Sequence, residues 1–161
     1  MRKLAVCCGC LVALGLPGGS GALTGAVGDG TLVVKEGRGT VSVAARGGII
    51  GRFESGSVWI DVPVPGNGFH PTVYGWSSER QLTATRTLYT GTDVRFRLIG
   101  GFFRAKVNAT GINVSAVGRG YATVWGGDAL GGFIDAGFFS VNGDDFKPMP
   151  DSAKTIQLGT P

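Results

Sequence analysis

The chain has 161 residues, enough for one ordinary domain. With 43% hydrophobic and 16% charged residues, a packed core is available and long disordered segments are not expected. The formal charge of +4 falls to +2 (13 basic against 11 acidic side chains) once Arg2 and Lys3 are removed with the leader described next, too little to point to nucleic acid.

Residues 1–22 have the pattern of a secretory signal peptide. Arg2 and Lys3 form its positive start, and Leu4 to Leu16 a short apolar stretch. Pro17 and Gly18-Gly19 break the helix ahead of the small residues Ser20-Gly21-Ala22. Cleavage is expected after Ala22, with Ala26 as the alternative. An uncleaved, buried helix is the competing reading, but no later segment looks like a helix that would pack against it. Cys7, Cys8 and Cys10 all fall inside this leader. Only Leu4, Ala5 and Val6 precede the first of them, too few for a lipidation signal. The mature chain 23–161 then has no thiol, which removes disulfides, thiolate catalysis and zinc–cysteine sites. It also has no transmembrane segment, so the expected location is secreted or at the cell envelope.

Glycine stands out at 30 of 161 residues, in neither a collagen triplet nor a linker pattern. It punctuates short alternating runs: Leu32-Val33-Val34, Val41/Val43/Ala45, Val58/Ile60/Val62, Val94/Phe96/Leu98, Phe103/Ala105/Val107, Ile112/Val114/Ala116 and Phe139/Val141. A period of two predicts strands, and the intervening Glu36–Gly39, Gly47-Gly48, Glu54–Gly56, Gly100-Gly101 and Gly118–Gly120 predict turns. Asn142-Gly143 is the strongest hairpin signal, joining 137–141 to 144–147 ahead of Pro148 and Pro150. Segment 63–79, rich in proline and glycine, is a long connection between blocks at about 28–62 and 93–126. The blocks resemble each other at an offset of 62 or 63 residues, Gly39 onward against Gly101 onward. The expected fold is all-β: an antiparallel β-sandwich or flattened barrel built from two similar strand-hairpin halves, with a short solenoid as the alternative.

The most informative stretch is Asp93 to Gly111. If Gly100-Gly101 is a two-residue hairpin loop, Leu98 faces Phe103 and Phe96 faces Ala105 on an apolar side. Arg97 then faces Arg104, and Arg95 faces Lys106, on the other. Like charges directly across a ladder cost a few tenths to about 1 kcal/mol per pair. Either solvent and long flexible stems absorb that cost, or the patch accepts an anion such as a phosphate, a uronic acid or an acidic wall polymer. Arg95, Arg97, Arg104 and Lys106 are therefore the candidate anion-binding residues. Trp59, Tyr121 and Trp125 would suit a sugar-stacking face, although large aromatics on sandwich strands more often fill the core, where these are placed.

No catalytic set emerges. His70, the lone histidine, lies in the loop Gly68–Pro71 with no second histidine to join it. There is no Gly-x-Ser-x-Gly elbow. Glu36, Glu54 and Glu79 look like turn or loop residues, Asp144-Asp145 like part of a turn rather than a calcium loop. Gly37-Arg38-Gly39 and Gly118-Arg119-Gly120 precede no helix, so they are not phosphate loops. Asn108-Ala-Thr110 and Asn113-Val-Ser115 match the glycosylation sequon, which matters only in eukaryotic secretion. No metal or cofactor is expected.

Phe96 to Gly101, Ser115 to Gly120, Gly28 to Lys35 and Phe139 to Gly143 together resemble a group of small exported, glycine-rich β proteins, mostly of high-GC bacteria. That resemblance implies export and a β body, and it assigns no catalytic residues. The hairpin rhythm is also similar to that of bacterial adhesin-like β domains. The expected role is a non-catalytic secreted or envelope-associated protein that binds or scaffolds, with an anionic polymer or envelope component as partner. The alternative is an enzyme acting on cell-wall or extracellular polysaccharide through a carboxylate pair.

Overall fold

Strict alternation of buried and exposed side chains runs through most of the chain, and a computed structural model shows the resulting architecture over residues 28–64, 71–127 and 136–160. The expected signal peptide with both expected cleavage positions, the three cysteines and His70 lie outside the described residues. The strands are β1 (Gly30–Asp61), β2 (Thr72–Gln81), β3 (Arg86–Trp125), β4 (Phe138–Val141), β5 (Lys147–Pro148) and β6 (Lys154–Leu158). Every pairing between them is antiparallel. The fold is all-β, as expected, and the sheet does not close into a barrel.

β1 and β3 are each single, very long strands, 32 and 40 residues. Each pairs with the other along both of its edges. Val41 faces Val107 on one side and Val124 on the other, 17 residues further along β3. Val107 is in turn flanked by Val41 and Val58, again 17 residues apart. A ribbon that meets itself after a fixed length of chain must coil once in that length. β1 and β3 therefore wind together as one antiparallel ribbon.

Bends set the shape of the coil. In β1 they fall at Glu36–Gly39, Gly47 and Gly56, and in β3 at Asp93, Gly100-Gly101, Gly111 and Gly118–Gly120, about nine residues apart. Two bends per turn flatten the coil into two layers. The front layer runs in the order β6, 120–125, 40–46, 102–108, 57–61, 86–90, 78–81. The back layer runs β5, β4, 32–35, 113–117, 49–53, 94–98, 72–74.

The glycine breaks are therefore corners, not hairpin loops. Segment 94–98 is flanked by 49–53 and 72–74, and segment 102–107 by 41–46 and 57–61, so the two never pair with each other. The two halves of the chain are accordingly complementary strands of one ribbon, not two copies of a hairpin unit. A corner and a reversal look alike in sequence, because each breaks the alternation with a residue that tolerates unusual backbone angles. The predicted connection 63–79 also contains most of β2, which forms the edge of both layers. Asn142-Gly143 does make a tight turn, with positive φ at both residues and Asp144 N–H donating to the Val141 carbonyl at 2.9 Å. Pro148 pairs within β5, an edge strand where its missing N–H costs little.

The inner faces form one core. Leu32, Ile49, Phe53, Phe96, Leu98 and Ile112 come from the back layer, and Val41, Val43, Val58, Phe103, Val107 and Val124 from the front. On the front layer Ala122 and Val124 take the inward positions, so alternation turns Tyr121 and Trp125 to the outer side of the same strand. That explains a difference from expectation. Tyr121 is 58% and Trp125 37% exposed on the outer front face, and Trp59 is half-buried there with the Arg86 guanidinium 4.5 Å from its ring.

Beside Trp59 is the one buried carboxylate of the described residues, Asp61, which accepts a 3.0 Å bond from Arg86. Burial pushes its pKa up, but Thr85, Arg86 and the nearby Arg104 charge outweigh this and hold it below the ordinary value. A carboxyl with a depressed folded pKa stabilises the fold above its unfolded pKa. That contribution is lost as pH falls below about 4. Asp61→Asn should cost roughly 2 kcal/mol at pH 7 in urea unfolding, with the gap to the parent closing towards pH 3. A gap independent of pH would contradict this role.

Candidate functional site

The corner at Gly100-Gly101 decides where the four predicted cations lie. All four point outward, but outward means opposite directions on the two layers. Arg95 and Arg97 project from the back layer between buried Val94, Phe96 and Leu98. Arg104 and Lys106 project from the front layer, where Arg104 is paired in register with Asp61 and Lys106 with Trp59. The four therefore do not form one patch. Arg104 has a carboxylate neighbour, which leaves Arg95 and Arg97 as the part of the prediction that still describes a cationic face.

That face gains residues the sequence did not reveal. Arg52 lies directly opposite Arg95, and Ile50 directly opposite Arg97. On the far side of 49–53, Arg52 faces Asn113 and Ile50 faces Ser115. Val33 follows opposite Ser115, and Lys35 is paired with Phe138 of β4. Tyr74 of β2 closes the other side, opposite Arg95. Together these strands form a shallow depression of about 730 Å³ across the back layer. Ile50/Arg52 and Val33/Lys35 alternate with core residues, so their outward direction was legible. Their nearness to Arg95 and Arg97 was not, because it depends on the register of the coil.

The electrostatics of this face are one-sided. Arg52, Arg95 and Arg97 make no ion pair among the described residues, whose salt bridges join Arg86 to Asp61 and Arg119 to Asp29. Glu36, at the adjacent corner, is occupied by the Asn113 amide, which donates to its Oε1 at 3.0 Å. Lys35 places its Nζ 4.2 Å from the centre of the Phe146 ring. Arg52 against Arg95 is thus a direct cross-strand pair of like charges with no carboxylate bridging it. Among the described residues no three His, Asp or Glu side chains gather as a metal-ligand set, and no helix is long and apolar enough to cross a membrane.

No relative decides the matter. The chain matches no protein-family model, no curated protein and no solved structure.

Proposed function

We propose that this is a secreted or envelope-associated, non-catalytic β protein that binds an anionic envelope component on its back face, through Arg52, Arg95 and Arg97. The observation that carries this reading is the arginine cluster itself: three guanidiniums on two adjacent strands, two of them directly opposed, with no ion pair to a carboxylate among the described residues. Leaving such a pair unbridged costs up to about 1 kcal/mol, a cost that a bound anion removes through charge-assisted hydrogen bonds. The planar fork of arginine suits carboxylate, sulfate and phosphate alike.

Retention of the mature protein on heparin at low salt tests this. The triple variant Arg52→Gln/Arg95→Gln/Arg97→Gln should bind at least about tenfold more weakly, and the parent should elute as ionic strength rises. Arg104→Gln/Lys106→Gln, on the opposite face, should elute with the parent. Equal retention of the triple variant, or loss confined to the front-face variant, would refute the assignment.

A further inference from the structure

The depression is not uniformly charged, and its asymmetry identifies the kind of anion. Arg52, Arg95 and Arg97 crowd one end, beside Tyr74, which is 65% exposed. From there a mainly apolar track, interrupted by the small exposed Ser115, leads across the layer: Ile50, 37% exposed, then Ser115, then half-buried Val33 and, diagonally beyond it on β4, Phe138, 45% exposed. It crosses four strand spacings from 94–98 to β4, about 19 Å at the usual separation. Lys35 is the one cation at the far end, and its ammonium is engaged with Phe146. A uniformly charged, hydrophilic polymer would be matched by cations spaced along its whole path. Here, between the arginines and Lys35, the outward side chains are all uncharged, Ile50, Asn113, Ser115 and Val33, with the exposed ring of Phe138 beyond them.

We infer that the ligand is an anionic amphiphile, a phosphate, sulfate or carboxylate head carrying one extended apolar chain. The arginines hold the head and the track from Ile50 to Phe138 covers the chain. This rests on the anion site proposed above and adds its ligand class. Each methylene taken from water on such a surface raises affinity about fourfold, so even partial cover of the chain outweighs the head alone.

The test is calorimetric titration of the mature protein with dodecyl phosphate below its micelle concentration, against inorganic phosphate and the uncharged dodecyl maltoside. Dodecyl phosphate should bind at least a hundredfold more tightly than inorganic phosphate, and the maltoside at least tenfold more weakly than dodecyl phosphate. Ile50→Ser should weaken dodecyl phosphate at least fivefold and leave heparin retention unchanged. If dodecyl phosphate binds no better than inorganic phosphate while retention still depends on the arginines, the amphiphile assignment falls and the anion site stands. If the arginine variant changes neither measurement, both fall. Binding only to vesicles of anionic lipid, with no affinity for the monomeric amphiphile, would also overturn the inference in favour of a membrane surface.

Discussion

Gly118→Ala is expected to cost about 3 kcal/mol or more, a large share of the stability of a domain this size. Gly118 sits where β3 turns between layers and is paired with Gly47 at the matching bend of β1. A Cβ there would lie 2.2 Å from the Arg46 carbonyl oxygen, and one on Gly47 would lie 2.1 Å from that of Val117. Both obstacles are backbone, so no rotamer change relieves them. Each residue also has φ near +150°, which L side chains rarely adopt. Gly143→Ala is the control. It too has positive φ, but nothing lies within 4 Å of its would-be Cβ, so only the backbone cost of about 1–2 kcal/mol applies. Urea unfolding of the three proteins measures both differences. A Gly118→Ala protein within 1 kcal/mol of the parent would show that the two strands do not cross this closely.

The second large effect contrasts adjacent residues. Phe96→Ala should lose about 3–5 kcal/mol, because the ring is fully buried and packs against the bare backbone of Gly51, leaving a cavity that neighbouring strands cannot fill. Arg95→Gln, one residue earlier, removes a charge opposed to Arg52 and should be neutral or stabilise by a few tenths of a kcal/mol. Such a contrast at consecutive positions follows from a strand with one core face and one outward face of opposed cations. A destabilised Arg95→Gln would mean that this arginine serves the fold rather than a ligand, and would weaken the functional proposal independently of any binding assay.

Much of the fold was legible because side-chain direction in a strand is local. The chain sets Leu98 inward and Arg97 outward whatever lies beside them, so strand character, the core face of most segments and the outward cations follow from a period of two. The Asn142-Gly143 turn was legible for the same reason, since its chemistry is contained within four residues. The outward placement of Tyr121 and Trp125 was missed although their alternation opposite Ala122 and Val124 was visible. General burial tendency outweighed it, although the alternation by itself turns both side chains away from Ala122 and Val124.

What the sequence determined by itself is thus the all-β class, the alternation and the positions where the alternation breaks. Whether a break reverses the chain or only turns it depends on which strand arrives alongside, and that partner is tens of residues away. Only the tertiary structure decided that Gly100-Gly101 is a corner. That one decision sends Arg104 and Lys106 to the front face and leaves Arg95 and Arg97 on the back. The 17-residue winding then brings Arg52, Ile50 and Val33 beside them, because hydrogen-bond register between distant strands is a property of the assembled coil and not of any single segment.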